Sequence, residues 1–139
     1  MDYSIGALAS QTGYAVQTLR YFEQIGLMPE APRTAGGQRR YGKKELRRLL
    51  FIRHARDLGF ETDAVRSLLQ LAGHPDAPCS AANAIAADHL KAIDDKIARL
   101  QAMREELARM VAACTGGSIA ECRVIDVLAD HGKCLSQKH

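Results

Sequence analysis

The chain of 139 residues contains no tryptophan and only 5% aromatic residues, and it lacks any apolar run near the roughly 18 residues of a membrane helix. A helical membrane span is therefore excluded. Enzyme signatures are missing too: there is no Gly-rich phosphate loop, no His-Glu-x-x-His and no nucleophile elbow. Asp94-Asp95 and Glu105-Glu106 come nearest to paired carboxylates, but both fall on a heptad helix as part of its solvated face. Met1-Asp2-Tyr3-Ser4 shows no charged segment leading into an apolar one, so the cytosol is the expected location. Cysteine is absent from the first 78 residues and then occurs at Cys79, Cys114, Cys122 and Cys134. In a reducing compartment such cysteines suit metal or redox chemistry better than disulfides.

Net charge is only +3, yet it is unevenly spread. Residues 1–60 hold ten Arg/Lys against five Asp/Glu, whereas residues 61–139 hold nine against eleven. A basic front half joined to a mildly acidic back half implies that the front meets a polyanion. No basic amphipathic helix with aromatic anchors points to a membrane surface instead.

Ser4 is placed to cap a short helix through Gln11, with Ile5, Leu8 and Ala9 on one face, and Thr12-Gly13 breaks it. A second helix is expected over about Ala15 to Ile25, with Val16, Leu19 and Phe22 a turn apart and Gly26 closing it. Two short helices around a Gly turn make a helix-turn-helix pattern. Arg33 to Tyr41 reads as a hairpin-like loop, with Gly36-Gly37 at its tip. Further helices are expected from Lys43 to Leu58 and from Thr62 to Ala72. Gly73-His74-Pro75-Asp76-Ala77-Pro78 then marks a linker over 74–79, which separates a DNA-binding domain (1–73) from a helix over 80–114 and a terminal segment, 115–139.

That long helix has neither Gly nor Pro. Ala86, Leu90, Ile93, Ile97, Leu100, Arg104, Leu107, Val111 and Cys114 recur along it at alternating steps of four and three residues. Such a heptad seam needs a partner helix, and a second copy of the chain is the natural one.

Gln17, Thr18, Arg20 and Tyr21 fall on the polar faces of the second helix. Gln and Arg can read base edges in pairs of hydrogen bonds, while Thr and Tyr can reach phosphates. Arg33, Arg39, Arg40 and Tyr41 frame the loop as a wing able to grip the backbone or minor groove. Arg47, Arg48, Arg53, His54 and Arg56 would extend the basic surface. The bland alternative for each arginine alone is a solvated charge; turn, helix and arginine-framed loop together favour double-stranded DNA.

The 35 residues from Cys79 to Cys114 span on the order of 50 Å as a helix, so these thiols cannot share an ion within one chain. Cys114 and Cys122 can close a loop around one. An antiparallel dimer would bring Cys79 of one protomer to Cys114 and Cys122 of its partner, giving three thiolates for a soft or borderline ion. The alternative is that these cysteines are small buried hydrophobes, most plausibly Cys114 on the seam. His131, Cys134 and His139 offer a second, weaker site in the tail. A thiol redox sensor that pairs Cys114 with Cys122 is the competing functional class.

Ser4-Ile5-Gly6-Ala7-Leu8-Ala9, Thr18-Leu19-Arg20-Tyr21-Phe22-Glu23, Gly26-Leu27, Arg40-Tyr41, Leu49-Leu50-Phe51-Ile52 and Leu58-Gly59-Phe60 resemble the MerR family of regulators. The likeness runs to about residue 128. It implies a mainly α fold: a winged helix-turn-helix, a long antiparallel coiled-coil dimerisation helix, and a short metal-binding loop and helix. It also implies activation by DNA distortion at a promoter with an overlong spacer, so that RNA polymerase engages both promoter elements. A cysteine at the start of the long helix, Cys79 here, resembles the branches that sense divalent zinc, cadmium, lead or mercury; the copper(I) branch usually has serine there. Zinc sensors of the family often carry paired cysteines and a loop histidine. Here Ala113 precedes Cys114 and the loop has no histidine, which suits a single three-thiolate site.

Overall fold

A computed structural model describes residues 2–33, 35–37, 40–114 and 116–133 of the chain. These residues form α1 (Ile5–Thr12), α2 (Val16–Gln24), α3 (Lys43–Asp57), α4 (Thr62–Ala72), α5 (Cys79–Ala112) and α6 (Arg123–Ala129), with single 3-10 turns at Ile119–Glu121 and His131–Lys133. Among the described residues the architecture is mainly α, and sheet structure is limited to isolated pairing such as the antiparallel bridge of Tyr3 with Tyr41. Two compact units divide the chain, residues 1–85 and 86–139; the division falls inside α5.

In the first unit, α1 starts where the Ser4 hydroxyl accepts from the Ala7 amide at 3.1 Å. It stops at Gly13, whose φ of 76° lets its N–H turn back to the Ala9 carbonyl at 2.8 Å. The pair α1 and α2 is therefore joined by a turn of a few residues, as the helix-turn-helix pattern requires. Glu45 caps α3 by accepting from the Gly42 amide at 2.8 Å. Leu8 on α1, Leu19 and Phe22 on α2, Leu49 and Ile52 on α3, and Val65 and Leu69 on α4 meet in one core. α1 packs on α2 and α3, and α3 on α4. Each fully buried Leu, Ile or Val contributes about 1.5–3 kcal/mol, which is what holds so small a unit together.

Between Ala72 and Cys79 the chain turns without helix, through His74 N–H to Leu71 O and Ala77 N–H to His74 O. Cys79 itself is the first residue of α5, one position earlier than the spacing suggests. At the other end α5 stops at Ala112, so Cys114 lies just beyond the helix and is exposed.

In the second unit, Glu106 is buried and accepts from Arg109 at 2.7 Å. Arg109 also donates to the Lys133 carbonyl at 2.6 Å, which ties the terminal segment to the end of α5. Lys133 in turn meets Asp126 of α6 at 2.7 Å.

Candidate nucleic-acid interface and metal centre

Burying Leu19 and Phe22 rotates the other face of α2 into solvent. Gln17, Arg20 and Tyr21 are exposed there, and Thr18 is half-buried. The loop after α2 brings Arg33 to the same side. Its guanidinium donates to the Gly37 carbonyl at 3.1 Å, and Gly37 takes φ 81° at the tip, the position at which a tight turn needs glycine. The Arg40 amide donates to the Pro32 carbonyl at 3.0 Å and closes the foot of the loop. Helix and loop together line a cleft of about 890 Å³ that includes Gln17, Arg20, Tyr21, Arg33 and Gly37. The structure thus brings four of the expected DNA-facing residues to one groove. Arg40 is half-buried at the loop's foot, and Arg39 lies outside the described residues.

Tyr41 departs from expectation. Only 1% of it is exposed, and its hydroxyl donates to Glu23 Oε1 at 2.6 Å, so it is a core residue rather than a phosphate contact. The reason is its backbone: Tyr41 pairs with Tyr3 in both directions, at 2.5 and 2.8 Å, which turns the ring inward. Glu23 is the partner that reading by helix face alone missed, since the two residues are 18 apart in sequence.

The arginines of α3 also make contacts of their own. Arg48 donates to the Leu27 carbonyl at 2.8 Å, and Arg56 to the Thr62 hydroxyl at 2.8 Å. Arg53 donates to the Thr12 carbonyl and stands 5.8 Å from the Tyr14 ring centre. These three brace neighbouring segments; Arg48 is half-buried, while Arg53 and Arg56 stay exposed on α3 together with Arg47 and His54. Burial pushes the Tyr14 phenol above its ordinary pKa, opposed by the charge of Arg56.

The described cysteines are free thiols: Cys79 and Cys114 are exposed, and Cys122 is half-buried at the start of α6. Among the described residues no three His, Cys, Asp or Glu side chains gather within one chain at metal-binding spacing. Of the second candidate set, Cys134 and His139 lie outside the described residues, and the His131 side chain is likewise not described.

A helical unit with a capped helix-turn-helix, an exposed polar recognition face and an adjoining basic loop defines a DNA-binding regulator. Comparison with known proteins names the kind. The family described as MerR HTH family regulatory protein matches residues 3–72, and the family described as MerR, DNA binding matches residues 46–110. The regulator ZntR of Escherichia coli K12 is 37% identical over 129 residues, covering 91% of this chain and 92% of that protein. Heavy metal-dependent transcription regulator 2 of Rhizobium meliloti is 34% identical, covering 91% of this chain and 86% of its own. The crystal structure of PbrR691 from Ralstonia metallidurans CH34 in complex with lead(II) superimposes with a TM-score of 0.80 at 34% identity, over 91% of this chain and 98% of that one. The chain belongs to the MerR family of helix-turn-helix transcription regulators, and it is not an enzyme.

Proposed function

We propose that this chain is a homodimeric, metal-responsive activator that binds promoter DNA and holds its effector ion between subunits. The observation that carries this reading is the coincidence on α5 of an apolar seam open to solvent with cysteines at both ends. Leu90, Ile97, Leu100, Leu107 and Val111 are all exposed. Cys79 opens the helix, and Cys114 lies two residues past its end. Seam residues left in water make the monomer costly, and antiparallel pairing of two α5 helices covers them.

The same pairing sets Cys79 of one protomer beside Cys114 and Cys122 of its partner. The donor set fits a soft or borderline divalent ion: three free thiols, all reachable from solvent to some degree, with Cys79 supplied by the partner chain in this reading. Zinc, cadmium, lead and mercury all suit such a site, and the lead(II) complex of the similar PbrR691 supports this group of ions. Bound metal would supply the energy that favours one dimer conformation over another. In that conformation α2 of each protomer reads the major groove and the loops grip the flanking backbone. The dimer bends and untwists an overlong promoter spacer until RNA polymerase can engage both elements, which is a use of DNA deformability.

A promoter reporter exposed to zinc, cadmium, lead, mercury and copper(I) salts tests the reading, together with the metal content of protein purified under reductant. Induction by a divalent ion with stoichiometric metal supports it. Induction by mild oxidant with no metal bound would make the chain a thiol redox sensor instead, and induction by copper(I) alone would move it to that branch.

A further inference from the structure

We infer that Glu23 is a positioning residue for DNA recognition: through the Tyr41 hydroxyl it fixes the wing loop relative to the recognition helix α2. This rests on the reading of the first unit as DNA-binding. Among the described residues, the hydrogen bonds within the loop between Pro32 and Arg40 are from Arg33 to Gly37 and from Arg40 to Pro32 across its foot. Neither bond refers the loop to α2. Tyr41, the next residue, does so. Its ring is buried, its backbone is clamped to Tyr3, and its hydroxyl reaches across to the Glu23 carboxylate at 2.6 Å. A phenol donating to a carboxylate at that length is a strong, charge-assisted bond.

Glu23 lies one turn beyond Arg20 on α2 and lines the same cleft as Arg20, Tyr21, Arg33 and Gly37. A rotation of the loop foot by a few degrees would therefore change the span between Arg33 and Arg20, two cations that line the same cleft. The ring of Tyr41 serves the core; its oxygen serves the register of two DNA-facing elements.

The test is a double-mutant cycle of Tyr41→Phe with Arg33→Ala in the full-length chain. Binding is measured at fixed salt on a fluorescent duplex that the wild-type protein selects from a random-sequence library, and thermal unfolding is followed alongside. Tyr41→Phe keeps the buried ring, so it should fold, yet weaken binding about tenfold. Arg33→Ala should cost less in that background than in wild type, because a loop out of register no longer delivers its guanidinium. Glu23→Gln, which retains an acceptor oxygen, should lose clearly less affinity than Glu23→Ala. Wild-type affinity in Tyr41→Phe, or independent multiplication of the two losses, overturns the positioning role while leaving the DNA reading intact. If the wild-type chain selects no duplex, the DNA reading fails and takes this role with it.

Discussion

Arg53 of α3 donates to the carbonyl of Thr12, the last residue of α1. The turn of the helix-turn-helix is thus held from outside the motif, by a helix that begins 31 residues after α1 ends. Gly13 sits directly under that guanidinium at φ 76°, and a Cβ there would collide with Arg53. Gly37 has a similar φ of 81°, but a Cβ added there would meet none of the described residues within 4 Å.

Gly13→Ala should therefore destabilise the protein by about 2 kcal/mol or more, through backbone strain and loss of the Arg53 contact. Gly37→Ala carries the strain alone and should cost about 1 kcal/mol. Thermal unfolding of the two variants gives the comparison; equal losses would mean that the Arg53 brace contributes nothing.

Arg20→Ala should weaken operator binding without lowering the unfolding temperature, since Arg20 is exposed and lies outside the core. A lost bidentate base contact is worth about 1–3 kcal/mol. Unchanged affinity at fixed salt would remove Arg20 from the recognition surface.

Acid should loosen the terminal segment. The hydrogen bond from Lys133 holds the Asp126 carboxyl below its ordinary pKa, with the charges of Lys133 and Arg123 adding to it. A carboxyl depressed in the folded state stabilises fully above its unfolded pKa, and that contribution is lost as pH falls through the folded value. Opening of the Arg123–Lys133 segment, read by amide exchange, should be constant around neutrality and rise only in acid below the ordinary carboxylate range. Asp126→Asn should abolish that rise. A rise of the same size in the variant would assign the acid sensitivity to another group.

Leu100→Glu should disrupt the dimer, because Leu100 lies at the middle of the seam and 61% of it is exposed in the single chain. Burying a carboxylate against an apolar partner helix is unfavourable enough to outweigh several heptads of contact. Sedimentation at micromolar concentration should show dimer for wild type and monomer or unfolded chain for the variant. A stable wild-type monomer would overturn the pairing.

Periodicity made the helices legible. Thr62–Ala72 falls where the spacing of Val65, Leu68 and Leu69 puts it, because glycines and the core face bound it locally. The wing residues were legible only as a group. Tyr41 shares polarity and neighbours with Arg40, and nothing nearby in sequence shows that a bridge to Tyr3, 38 residues away, turns its ring inward. Arg53 and Arg56 are exposed as a basic face requires, but the carbonyls of Leu27 and Thr12 that Arg48 and Arg53 meet are 21 and 41 residues away, and only tertiary packing brings them near. Cys114 continues a heptad on paper, but helix α5 ends before reaching it.

The shared metal site is tested most directly by a heterodimer of one Cys79→Ser chain with one Cys114→Ser chain. As homodimers, each variant should lose high-affinity binding, because every site then lacks one thiolate. In the heterodimer the two lesions fall together in one site, and the other keeps Cys79, Cys114 and Cys122 intact. Metal content per purified heterodimer should therefore be one ion, held at near wild-type affinity. A content near zero would contradict the account, since it would mean that each site is built within a single chain and carries a lesion of its own.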